Sequence, residues 1–322
     1  MKRRAFLMLA GAVVSPLVGH AQSSRAQRIG VILHSASYKA ALDGLRVGLK
    51  EHGVVEGRDV TLEIVDAKGD PKAVEDAARR FERDRVKLIY VVPMSAASVV
   101  KRVTSEVPIF FCVGSDPIAG GLVESFAKPG SRVTGVHYMT TDLTAKRLEL
   151  LKELLPKLRS VLILYNPAHG PAQASMHAAR PAAARLGIKL VERHVRSLPE
   201  IRAAVATLKA GDADALFMVA DAAVTSQLDE IVRAAKAARM PTITFEETMA
   251  ERGALASYGV DLRETGRQSA KNVQRLLSGA RPSDLPVENV TRLAFVLNRR
   301  TARELGITVP PAMLVRFDRV IE

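Results

Sequence analysis

The side chains able to do chemistry in this 322-residue chain form a short set. Cys112 is the single cysteine, which excludes a disulfide framework, a cysteine-pair catalyst and a multi-cysteine metal site. It sits inside the apolar run Ile109-Phe110-Phe111-Cys112-Val113 and reads as a buried thiol, not a nucleophile. The histidines His34, His52, His137, His169, His177 and His194 show no metal-ligand spacing. The chain carries no Gly-x-Gly-x-x-Gly after its first apolar run, no phosphate-binding Gly-x-x-x-x-Gly-Lys-Ser/Thr and no Gly-x-Ser-x-Gly elbow. No catalytic residue, metal or cofactor is therefore expected.

What remains are polar and aromatic residues that follow apolar runs. Ser95-Ala96-Ala97 opens a helical pattern, where free backbone N–H groups and a hydroxyl suit a carboxylate, although Ser95 would serve equally as a helix cap. Asp116 and Asp221 fit an ammonium group through charge-assisted hydrogen bonds, with turn formation or capping as the other role open to them. Tyr38, Tyr138, Tyr165 and Tyr258 fall at or just beyond predicted strand ends, as the lining of an apolar pocket would, while Tyr90 lies inside a strand.

Short apolar runs alternating with amphipathic stretches position these groups. Such a pattern arises when strands buried on both faces are joined by crossover helices. Strands are predicted at Ile29–Leu33, Val60–Val65, Leu88–Val92, Pro108–Val113, Val161–Tyr165, Lys189–His194, Ala215–Val219 and Thr242–Phe245. Helices are predicted between them at Lys39–His52, Pro71–Arg83, Ala96–Thr104, Thr144–Leu155, Gln173–Leu186, Leu198–Ala210 and Ala223–Arg239. Gln27-Arg28-Ile29-Gly30-Val31-Ile32-Leu33-His34 and Arg159-Ser160-Val161-Leu162-Ile163-Leu164-Tyr165-Asn166 open two similar rounds, so the expectation is an α/β protein of two doubly wound, Rossmann-like lobes. A helix at Leu262–Leu277, a Pro-containing link at 281–286, a strand at Thr291–Leu297 and a short helix near Thr301–Leu305 return to complete both lobes. The expected division is 28–137 plus about 260–284 for one lobe and 138–259 plus about 287–322 for the other.

The N-terminus reads as an export signal cleaved after Ala21. Met1-Lys2-Arg3-Arg4 is a basic start, Ala5 to Val18 is apolar but too short to span a bilayer, and Gly19-His20-Ala21 supplies small residues. Arg3-Arg4 also suits a twin-arginine route, and no cysteine follows for lipid attachment. The 47 Lys and Arg outnumber the 34 Asp and Glu, yet acids interleave with bases along segments such as Lys72–Arg85, as on a solvated helix face, so no nucleic-acid partner is expected.

Two strings, Ser115-Asp116-Pro117-Ile118-Ala119-Gly120-Gly121-Leu122-Val123-Glu124-Ser125 and Lys128-Pro129-Gly130-Ser131-Arg132-Val133-Thr134-Gly135-Val136, resemble a known family. Further matches are Gly53–Val60, Lys146–Glu153, Ser257-Tyr258-Gly259, Gly279–Glu288 and Leu305–Pro311. The resemblance is to the substrate-binding proteins of ABC transporters, in the branch that includes tryptophan- and phenylalanine-binding members. It implies a type I periplasmic-binding-protein fold with three crossings between lobes and a ligand closed between them. It also implies a periplasmic monomer that performs no chemistry, captures an amino acid or small carboxylate and delivers it to a membrane permease. By position, the ligand-facing residues would be Ser35, Ser37, Ser95, Ala96, Asp116, Asn166, Asp221, Phe245, Glu246, Ser257 and Tyr258, with Tyr38 beside them. A ligand-sensing receptor without transport, a two-lobed racemase-like or lyase-like enzyme, and the effector domain of a transcription regulator are the alternatives that share such lobes.

Overall fold

Strand runs and crossover helices build two sheets in the computed structural model, which describes residues 26–322; the expected export signal lies outside the described residues. The first strands are β1 (Gln27–Leu33), β2 (Val60–Asp66), β3 (Leu88–Val92), β4 (Ile109–Val113), β5 (Val133–His137), β6 (Ser160–Tyr165) and β7 (Lys189–His194). They are followed by β8 (Ala215–Phe217), β9 (Thr242–Glu246), β10 (Ala256–Val260), β11 (Glu288–Asn289), β12 (Leu293–Asn298) and β13 (Arg319–Ile321). One sheet has the order β11-β5-β4-β3-β1-β2 and the other β13-β12-β10-β9-β8-β6-β7. Pairing is parallel throughout except between β10 and β12.

The period of two along each central strand sorts side chains into two layers per sheet. Ile29, Val31 and Leu33 of β1 join Leu88, Tyr90 and Val92 of β3 under the helices at Lys39–Glu51 and Leu262–Leu277. Ile32, Ile89 and Val91 face the other way, into the layer of the helices at Pro71–Arg83 and Met94–Val103. In the second sheet Val161, Ile163 and Tyr165 meet the helices at Thr144–Leu154 and Gly170–Leu186, whereas Leu162 and Leu164 meet those at Leu198–Ala206 and Leu228–Ala237. Burial of each such aliphatic side chain contributes about 1.5–3 kcal/mol, so continuous apolar runs are what a two-sided sheet requires.

The chain crosses between sheets three times: after β5, after β10 and after β11. The last crossing departs from expectation. Glu288 and Asn289 pair with Val136 and His137 of β5, and Val287 is buried in the first lobe, so the return to the second lobe follows Asn289 and not Pro286. The helix expected over Ala223–Arg239 is two, Ala222–Ser226 and Leu228–Ala237, because Gln227 leaves helical geometry at φ −103° and ψ 19°. β5 and β10 were absent from the predicted strands: Thr134, Gly135, Ser257 and Gly259 dilute their apolar runs. No helix among the described residues is long and apolar enough to cross a membrane.

Candidate functional site

Parallel strands deliver their carboxyl ends to the same edge of a sheet, and the two sheets turn those edges toward each other. A narrow cavity lies between them. From the first lobe it is lined by Tyr38 beyond β1, Met94 and Ser95 beyond β3, Gly114 and Ser115 beyond β4, and Tyr138 and Thr140 beyond β5. From the second come His169 and Pro171 beyond β6, Ala220 and Ala222 beyond β8, and Phe245 and Glu246 at the end of β9.

The walls are chemically divided. Tyr38, Tyr138, Phe245 and Met94 are buried and give aromatic and thioether surface. Burial pushes the phenols of Tyr38 and Tyr138 well above their ordinary range, so they stand as neutral hydroxyls. Against this surface stand polar groups without protein partners: the hydroxyls of Ser95 and Thr140, both ring nitrogens of His169 and both carboxyl oxygens of Glu246. The helix Met94–Val103 starts at the cavity, and its first backbone hydrogen bond runs from the Ala97 N–H to the Pro93 carbonyl, which leaves the N–H groups of residues 94–96 free of helical partners. That corner suits an anion.

Glu246 is 1% exposed, and burial pushes its carboxyl up to about 8 despite the attraction of Arg252 and Arg147. Arg147 is fully buried beneath the cavity wall. Its Nη2 donates to the Thr140 carbonyl at 2.8 Å and to Thr144 Oγ1 at 2.9 Å, while Nε and Nη1 have no partner. Its Cζ lies 5.7 Å from the Phe245 ring centre, and burial lowers its guanidinium to about 9.

A second hollow adjoins the first, sharing Ser95, His169 and Ala222 with it and adding His34, Asp70, Asn166 and Asp221. His34 and His169 come from opposite lobes, and all four of their ring nitrogens are buried without hydrogen bonds. His169 Nδ1 approaches Asp221 at 3.9 Å, an ion-pair distance, but burial lowers the imidazole's affinity for a proton and the contact is that of a neutral ring.

Of the residues singled out from sequence, Tyr38, Tyr138, Ser95, Phe245 and Glu246 meet at the cavity, and Asn166 and Asp221 at the adjoining hollow. The two oxygens of Asp221 are committed: Oδ1 accepts from the N–H groups of Ala223 and Val224 at 3.0 and 3.2 Å, and Oδ2 from that of Asn166 at 2.8 Å. Ser35 faces a separate crevice at the lobe edge, and Ser37 joins the lobes, donating to the Thr225 carbonyl at 3.2 Å and accepting from Arg252 Nη1 at 2.8 Å.

The remaining positions stand elsewhere. Asp116 is exposed and closes a turn, its Oδ1 accepting from the N–H groups of Ile118 and Ala119 at 2.8 and 3.3 Å. Ala96 is packed in the first-lobe core, Ser257 is buried in β10, and Tyr258 stacks edge-on against Phe295 at 5.7 Å. Thr140, His169 and Arg147 were not among the candidates. The signal for Arg147 was present: at three residues after Thr144 and four before Leu151 it occupies the apolar stripe of its helix.

Residues 28–321 match the family described as ABC transporter substrate binding protein. A tyrosine-binding protein of Clostridioides difficile is 26% identical over 288 residues, covering 88% of this chain and 82% of the relative. The solved structure of an ABC domain in complex with L-Trp from Streptococcus pneumonia superposes with a TM-score of 0.83 at 26% identity, covering 92% of this chain and all of the other. The ligand-free, open structure of a substrate binding protein with adhesive properties from Clostridium difficile, also 26% identical, covers 92% of this chain and 99% of the other, with a TM-score of 0.63. Two parallel α/β lobes, a cavity at their facing strand ends and a match across almost the whole described chain agree: the protein belongs to the ABC transporter substrate binding protein family.

Proposed function

We propose that this protein is an exported solute receptor that captures an aromatic amino acid between its lobes and delivers it to a membrane permease. It acts as a monomer in the periplasm and transforms nothing. The observation that carries this reading is the composition of the interlobe cavity. Tyr38, Tyr138 and Phe245 offer a flat apolar side chain its surface, while the free N–H groups and hydroxyl around Ser95 offer a carboxylate its donors. The tyrosine-binding relative and the L-Trp complex support the same ligand class.

Thermal unfolding of the chain from Gln22 onward, refolded from denaturant to strip carried-over ligand, tests the reading against a panel of amino acids, small carboxylates and aromatic acids. A ligand bound by the folded state alone raises the melting temperature. A saturable rise with aromatic amino acids, with the ligand recovered unchanged, is the expected result. A flat panel would sink the amino-acid assignment, and recovery of a converted ligand would sink the receptor assignment.

A further inference from the structure

Two oxygens of one carboxyl group stand on the cavity wall without a hydrogen bond. Glu246 is 1% exposed, and the groups around it leave it unpaired. The charged and titratable groups that face it are Arg147 from the helix Thr144–Leu154, Arg252 beyond the helix Glu247–Glu251, and the neutral phenols of Tyr38 and Tyr138. His169 and Asp221 complete the surroundings from the same cleft. Neither arginine reaches Glu246. Arg147 is turned to Thr140 and Thr144, and Arg252 is held by Asp229 at 2.8 Å and by Ser37. A buried carboxyl that lacks a partner is costly as an anion and remains protonated until a cation arrives.

The other acids proposed from sequence for an ammonium group are spent: Asp221 on three backbone donors, Asp116 on a surface turn. Resting on the amino-acid reading above, we propose that Glu246 is the group that reads the ligand's ammonium, and that capture of the ammonium expels the Glu246 proton to solvent. The balance is simple. The carboxyl O–H bond breaks, its proton passes to the buffer, the ammonium keeps its three protons, and the new carboxylate accepts a charge-assisted hydrogen bond from it. Binding is then linked to pH: affinity for an ammonium ligand rises as the solution approaches the pH at which the empty site ionises.

The test is titration calorimetry of L-tyrosine and L-tryptophan at pH 7 in buffers of different ionisation enthalpy, whose slope counts protons released. The same titration is run with 3-(4-hydroxyphenyl)propionate, which lacks the ammonium, and with Glu246→Gln. The wild type is expected to release nearly one proton per amino acid and to bind the propionate far more weakly, without proton release. Glu246→Gln keeps the side-chain volume; it is expected to lose the proton release and to bind the amino acids about 10- to 100-fold more weakly. Cooperative thermal unfolding of the variant separates this loss from misfolding. Amino-acid binding without proton release, or unchanged in Glu246→Gln, overturns the proposal and leaves the receptor reading intact. Failure of the wild type to bind either amino acid overturns both.

Discussion

Glu246 and His34 are both buried as neutral groups, and their effects on stability have opposite signs. His34 is 4% exposed, and burial lowers its imidazole from the ordinary 6.5 to about 4. Between those values the unfolded chain binds a proton that the folded chain refuses, so the stabilisation is complete above pH 6.5 and is lost as the pH falls toward 4, by about 3 kcal/mol. Glu246 keeps its proton up to about 8 while the unfolded chain releases it near 4.5. Here the folded state binds more protons, and stability declines as the pH rises through that window. From these two groups the slopes nearly cancel between about pH 4.5 and 6.5, so the ligand-free protein is expected to melt highest on a plateau centred near pH 5.5 and lower on either side. Calorimetry from pH 4 to 9 on the wild type, His34→Gln and Glu246→Gln checks this. The first variant should lose the His34 share of the acid limb, while His137 and His169, whose proton affinity burial also lowers, keep the rest, and the second should lose the alkaline limb; an alkaline limb that persists in Glu246→Gln would show that another group titrates there.

At the scale of elements, the helix Leu262–Leu277 leaves the second lobe and locks onto Lys39–Glu51 of the first through glycine contacts. A Cβ on Gly266 would stand 1.9 Å from the Ala41 carbonyl oxygen, and one on Gly44 would stand 1.8 Å from that of Arg263. Backbone cannot yield as a flexible side chain can. Gly266→Ala is expected to destabilise the protein by about 1–3 kcal/mol through forced separation of the helices, more than the roughly 1 kcal/mol that alanine gains in helix propensity. Urea unfolding measures it; a stabilised variant would mean that the helices slide apart without loss. Both helices were legible in the sequence because their apolar periodicity is local. Their contact was not, since it joins residues more than 200 positions apart. The same division runs through the site. Strand tips were readable as ends of apolar runs, so Tyr38 and Ser95 could be named from the residues, and the family resemblance added Phe245 and Glu246. Asp116 and Asp221 could not be sorted from them, because a carboxylate's availability depends on which backbone N–H groups fold onto it.

At the scale of the whole molecule, a cavity walled by both lobes admits its ligand only when the lobes part, and the contacts made on closure then govern how long the ligand stays. Ser37 makes such contacts. Its hydroxyl, on the first lobe, donates to the Thr225 carbonyl and accepts from Arg252 on the second, and Asp229 holds Arg252 at 2.8 Å. The residue expected from sequence to touch the ligand instead sits off the cavity and ties the lobes together. Ser37→Ala removes both bonds in the closed form and none in the open form, where the lobes are apart. A net loss of about 0.5–1.5 kcal/mol corresponds to a dissociation rate about 2- to 12-fold faster, with the association rate nearly unchanged. The chain contains no tryptophan, so the emission of bound L-tryptophan reports its own release in a stopped-flow displacement without background from the protein. Ser35→Ala, at a hydroxyl that bonds to nothing, is the matched control. Equal dissociation rates in the two variants would show that closure draws on other contacts, whereas a slowed association in Ser37→Ala would move this hydroxyl from the closed state to the encounter.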